Sequence, residues 1–197
     1  MSRFDDAIAA FDAAHAQDPN LVMADGALQP AELVYSRRMS EMLMKHWPEA
    51  SEALRLAARC QHIRRWELPR ADYAPGRAGY LQWRAEEKRR HAVAAGEILL
   101  KAGYDAAMAE RVGQLLRKER LKQDAEAQTL EDVACLVFLE DHLAEFAPKH
   151  DENLILDIIA KTWVKMSAAG QQAALALALP AASRGLVEQA LAKKAGG

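Results

Sequence analysis

From Arg59 to His91 the chain reads RCQHIRRWELPRADYAPGRAGYLQWRAEEKRRH, which holds eight of its sixteen arginines together with His62, His91, Trp66, Tyr73, Tyr80 and Trp83. Arginine presents a planar fork of donors that fits phosphate or carboxylate, and aromatic rings stack on a base or on the guanidinium itself. The stretch is therefore predicted to bind an anion. His62 stands three residues from Arg59 and Arg65 and four from Trp66, while Tyr80, Arg84, Glu87 and His91 recur at helical spacing. Two helices would then each present a histidine beside arginines. The candidate ligand contacts are Gln61, Arg64, Arg65, Trp66, Arg70, Arg77, Tyr80, Trp83 and Arg84. For any single arginine the competing reading is a pair with Glu67, Asp72, Glu86 or Glu87 on a solvated face. Four acids cannot neutralise the nine Arg and Lys of the stretch, which favours an anion site for the group.

The imidazoles of His62 and His91, with Asp132 or Glu131 as the carboxylate and Asp132 favoured, form a candidate set of ligands for one divalent metal ion. Glu131 is the candidate catalytic residue, orienting or deprotonating water. Asp132 also has a plain structural reading, because it stands three residues after Thr129, where a capping box places an acid. His15, His46, His142 and His150 have no convergent partners in the sequence and read as structural or exposed. Trp163 reads as core, Lys161 and Lys165 as solvated, and Cys60 and Cys135 as small core residues. No P-loop, GxGxxG turn, GxSxG elbow or HExxH pair is present.

Helices must position these groups. Ser2 and Asp5 predict a capped helix to about His15, followed by a loop with Asp18, Pro19, Asp25 and Gly26. Pro30 is expected to open a second helix and Pro48 a third, which leads into Cys60, Gln61 and His62. Trp66 to Gly79 is expected to be irregular, with a long helix from near Tyr80 to Gly103. Asp105 caps the next helix, whose basic end at Arg117, Lys118, Arg120 and Lys122 suits the helix dipole. Thr129 begins the most apolar helix, expected to run to Pro148, and Asp151 caps another. The Ala/Leu-rich remainder predicts short helices broken around Pro180 and Gly185. No run alternates as a strand does. The fold class expected is all-α, a single-domain helical bundle of residues 1–197 with its core at about 4–179 and a C-terminal helical appendage at 180–197.

Charge and composition narrow the function classes. Residues 59–91 carry a net +5 and the rest a net −7, within a total of −2. That asymmetry favours a local basic pocket over a broad nucleic-acid or membrane surface. No run is long and apolar enough to span a bilayer, and the N-terminus lacks a secretory signal. Two cysteines outside any CxxC pattern argue against a disulfide framework or a zinc knuckle. The expected location is cytoplasmic, and the expected partner is a phosphorylated small molecule or nucleotide. RNA is the less favoured ligand, and self-association through the arginines would give a homo-oligomer.

The phrases YSRRMSEML, AARCQHIRRWELPR, GRAGYLQWR, QTLEDVACLVFLE and KTWVKMS resemble the family catalogued as domain of unknown function 4202, from about Phe4 to Leu179. A more distant likeness is to the HD phosphohydrolase superfamily, helical enzymes whose metal is held by a histidine, a His-Asp doublet and a later aspartate. YSRRM resembles the first-histidine helix with Tyr35 in the histidine's place. LAARCQHI resembles the doublet helix with Gln61 and His62 in place of His-Asp, and LEDVACL resembles the helix bearing the last aspartate, here Asp132. The likeness implies an HD-domain-like core and a metal-dependent phosphohydrolase in which Arg65, Arg70, Arg77 and Arg84 neutralise phosphate. The alternative is a non-catalytic anion-, nucleotide- or RNA-binding protein on the same scaffold.

Overall fold

The computed structural model describes residues 2–195. Local side-chain caps decide where most helices begin. Ser2 accepts from the Asp5 amide while the Asp5 carboxylate accepts from Ser2, and this box opens α1 (Arg3–His15). A hairpin of β1 (Leu21–Ala24) and β2 (Ala27–Pro30) comes next, with Ala24 opposite Ala27. Its turn is Asp25-Gly26, both at positive φ (50° and 77°), the requirement of a two-residue hairpin whose twist matches its strands. These two short strands stand against the expectation of none.

Pro30 precedes α2 (Ala31–His46) directly. α3 (Glu52–Cys60) is opened by Ser51, whose hydroxyl accepts from the Leu54 amide, so Pro48 lies in the turn before the helix instead of starting it. Two 3-10 turns follow, Arg65–Glu67 and Arg70–Asp72, and then α4 (Gly76–Lys101) starts four residues before Tyr80. Gly79 makes that early start feasible: a Cβ there would lie 1.9 Å from the Ala74 carbonyl oxygen. Asp105 caps α5 (Ala106–Arg117), which ends on Lys118 in the left-handed conformation.

α6 (Ala125–Val137) begins four residues earlier than Thr129. Asp124 is the reason: its carboxylate accepts from the Glu126 and Ala127 amides and is clamped by Arg111. The capping box expected from Thr129 and Asp132 is therefore not formed. The helix also stops short of Pro148, passing into a π-helical turn at Phe138–His142, then α7 (Leu143–Phe146) and a 3-10 turn. α8 (Glu152–Lys165) starts on Asp151 as expected, and Ser167 caps α9 (Ala168–Leu175). α10 (Ala181–Ala195) runs through Gly185 without a break.

The class is all-α. The described residues form two compact units divided between Ala127 and Gln128. In the first, α4 packs on α5, α3 on α2 and α5, and α1 on α2, α3 and α4. Phe11, Met39, Leu43, Leu56, Ile63, Leu99 and Leu115 are fully buried there. In the second, α10 packs on α7 and α8, with Leu136, Leu139, Leu143 and Ile155 buried. No helix among the described residues is long and apolar enough to cross a membrane.

Candidate functional site

The end of α3 builds the site. Gln61 leaves the helix with ψ 136°, and His62 and Arg64 then both take left-handed backbone angles, φ 64° and 55°. Each such residue costs on the order of 1 kcal/mol, a cost tolerated where the surroundings hold the chain in place. The turn brings the His62 ring onto Tyr35 of α2, stacked at 4.7 Å with the planes 10° apart, and within 5.8 Å of the His91 ring of α4. Gln61 Nε2 donates to the Tyr35 hydroxyl at 3.2 Å. Tyr35 thus meets Gln61 and His62, twenty-six and twenty-seven residues further along the chain.

Charged groups surround this stack. Arg65 Nη1 lies 3.3 Å from His62 Nδ1, and the Glu32 carboxylate is 3.7 Å from the same nitrogen. An Arg N–H can only donate, so in that contact Nδ1 is assigned as the unprotonated nitrogen. Glu87 is 2% exposed, with Arg65 Nε at 3.4 Å from one oxygen and Arg84 Nη1 at 3.9 Å from the other. Neither Glu87 oxygen has a hydrogen-bond partner in the protein, and the same holds for Gln61 Oε1 and His15 Nδ1. Buried polar atoms are rarely left so. The Arg65 guanidinium also sits 5.4 Å over the Trp83 ring.

These surroundings set the protonation states. Burial, and then the charges of Arg65, Arg84 and Lys118, hold His62 well below its ordinary value. Burial, reinforced by His62 and the same two arginines, pushes His91 down to about 2. His15 is lowered chiefly by burial, with Nε2 3.1 Å from the Arg59 carbonyl oxygen. Burial raises the Glu87 carboxyl although Arg65 and Arg84 pull the other way. The centre of the first unit therefore holds neutral imidazoles and a reluctant carboxylate beneath two guanidinium groups.

The remaining arginines of the stretch serve other ends. Arg59 forms a two-bond pair with Asp12 at 2.7 Å. Arg70 donates to the carbonyls of Tyr73, Ala74 and Gly76, and the Trp83 indole N–H donates to the Leu68 carbonyl at 3.0 Å, so both shape the loop before α4. Arg64 and Arg90 pair with Glu67, and Arg89 with Glu86, along an open cavity of about 250 Å³. The solvated-face reading holds for Glu67 and Glu86 and fails for Glu87. Trp66 is half-buried, Arg77 is exposed, and Tyr80 is 47% exposed with its ring 5.9 Å from that of Trp83. Tyr35 entered the sequence reading only through the likeness to HD enzymes, whereas Glu32 and the charge of Lys118 at His62 were not foreseen. By spacing alone Lys118 belongs to the basic end of α5, and no spacing rule links it to residue 62.

Glu131 and Asp132 belong to the second unit, both buried. Asp132 accepts from the Ser167 amide at 2.8 Å, the Ser167 hydroxyl at 2.5 Å and Gln128 Nε2 at 2.9 Å. A Cβ on Gly170 would stand 2.6 Å from its carboxyl carbon. The side chain thus holds the N-terminus of α9, where the helix dipole favours a negative charge. Among the described residues no three His, Cys, Asp or Glu side chains are grouped so as to hold a metal ion.

No curated protein and no solved structure matches the chain. A family model described as "Domain of unknown function (DUF4202)" matches residues 5–187.

Proposed function

We propose, because the chain belongs to the DUF4202 family and that description brings no activity with it, a function built from the site alone: binding of a phosphorylated small molecule, a nucleotide foremost, at the Arg65–Arg84 face of the first unit. One observation carries this reading. The Arg65 and Arg84 side chains are 33% and 30% exposed and stand over Glu87 at 3.4 and 3.9 Å, too far for strong hydrogen bonds, so their forks have donors to offer. Lys118 adds positive charge near the neutral His62. Tyr80, one helical turn before Arg84 and half exposed, offers a ring on which a base can stack. Tyr35, Gln61 and His62 meet in the structure, and the resemblance of their segments to the first ligand helices of HD enzymes is a further ground for proposing phosphate as the ligand.

The test is calorimetric titration with pyrophosphate and with a nucleoside monophosphate. Arg84→Ala should weaken binding about tenfold or more, the usual worth of a charge-assisted hydrogen bond. Arg89→Ala, on the surface pair with Glu86, should leave it unchanged. Equal affinities in wild type and Arg84→Ala would refute the site.

A further inference from the structure

We infer that Glu87 reads the proton of the bound phosphate, so that the site takes phosphomonoesters and discriminates against sulfates and phosphodiesters. This rests on the binding site proposed above and assigns its selectivity to one residue.

The geometry is unusual for a buried acid. Glu87 is 2% exposed, yet its two oxygens lack any hydrogen-bond donor in the protein. The groups facing it are Arg65 from the 3-10 turn, Arg84 from its own helix and, at longer range, Glu32 from α2. Burial and Glu32 oppose the carboxylate, Arg65 and Arg84 favour it, and neither oxygen receives a hydrogen bond from the protein. Both guanidinium groups are about a third exposed and within 4 Å of Glu87, so an anion drawn to them is brought near the acid. A bare dianion would meet the Glu87 carboxylate as a like charge in a poorly solvated place. A single proton held between a Glu87 oxygen and an anion oxygen removes that repulsion and adds a hydrogen bond.

Where that proton comes from separates the anions. A phosphomonoester has a second pKa of about 6, so about a tenth of it already carries its own proton at pH 7. Sulfate and phosphodiesters have no proton to bring, and Glu87 must be protonated from solvent before they bind. Burial eases that protonation without making it free, because Arg65 and Arg84 favour the charged form. Sulfate should therefore bind, but more weakly and with stoichiometric proton uptake.

The experiment titrates inorganic phosphate and sulfate, two tetrahedral anions of similar size, into the full chain and into Glu87→Gln at pH 7.5. Wild type should favour phosphate by about tenfold or more, and Glu87→Gln, whose amide donates to either anion, should bring the two within about threefold of each other. In wild type, lowering the pH from 8 to 6 should strengthen sulfate about fivefold more than phosphate, the linkage expected when one anion needs a proton from solvent. That second arm does not depend on a variant. Equal wild-type affinities that still fall in Arg84→Ala would overturn the role of Glu87 and leave the anion site standing. A ratio preserved in folded Glu87→Gln, or a ratio independent of pH, would do the same. If neither anion binds wild type, the site itself is overturned along with this inference.

Discussion

Three histidines, His15, His62 and His91, are all held below their ordinary values, chiefly by burial. For a histidine with a depressed folded-state value, protons bind the unfolded chain first. The stability is present above about 6.5 and is lost as the pH falls below it. Chemical denaturation should show stability falling between pH 6.5 and 5, by up to about 1.4 kcal/mol per pH unit for each histidine involved. His91→Asn should remove one histidine's share of that slope, and an unchanged slope would contradict the neutral assignment. His62, Arg65 and Arg84 were legible as candidate site residues because they share a basic, aromatic stretch. Glu87 was legible only as an acid near arginines; its burial could not be read, since helical spacing fixes a face but not what covers it. Lys118 is fifty-six residues from His62, and its charge acts there because α5, which it ends, packs on α3, which leads into His62.

At the scale of elements, the loop before α4 carries the site and is itself held by small, specific contacts. Gly79 lets the first turn of α4 lie against the Ala74 carbonyl, which also accepts from Arg70. Gly79→Ala places a methyl group inside that contact and should cost about 1–3 kcal/mol, the range for overpacking, measurable as a lower denaturation midpoint. It should weaken anion binding as well, because Arg65 and Arg84 flank the loop in sequence. The boundaries the sequence misplaced have a common cause. Pro48 and Thr129 looked like helix starts, but Ser51 and Asp124 offer the backbone a better acceptor, and the helix begins where its orphan amides are satisfied. The Asp25-Gly26 pair was visible as a turn, yet its strands are only four residues each, too short for an alternating pattern. The π-helical turn at Phe138–His142 leaves no mark in an unbroken apolar run.

For the whole molecule, charge is the organising quantity. A net +5 between residues 59 and 91 against −7 elsewhere favours small anions over extended polyanions. Part of that positive charge is spent on fixed partners, Asp12, Glu67, Glu86 and backbone carbonyls, which leaves Arg65 and Arg84 as the cations around Glu87. Phosphate binding should accordingly persist in excess chelator with unchanged affinity; a loss of binding that added divalent ion restores would show a metal at work. The sequence by itself determined the helical class, most caps, the family and the stretch proposed to carry the site, because each of these rests on local spacing or on a continuous string of residue types. Only the tertiary structure decided which arginines remain available, that Glu87 lies buried beneath two of them, and that Asp132 holds the start of α9. Those outcomes depend on which surfaces meet, and burial, which sets both the charge states and the unmet hydrogen bonds, exists only once they have.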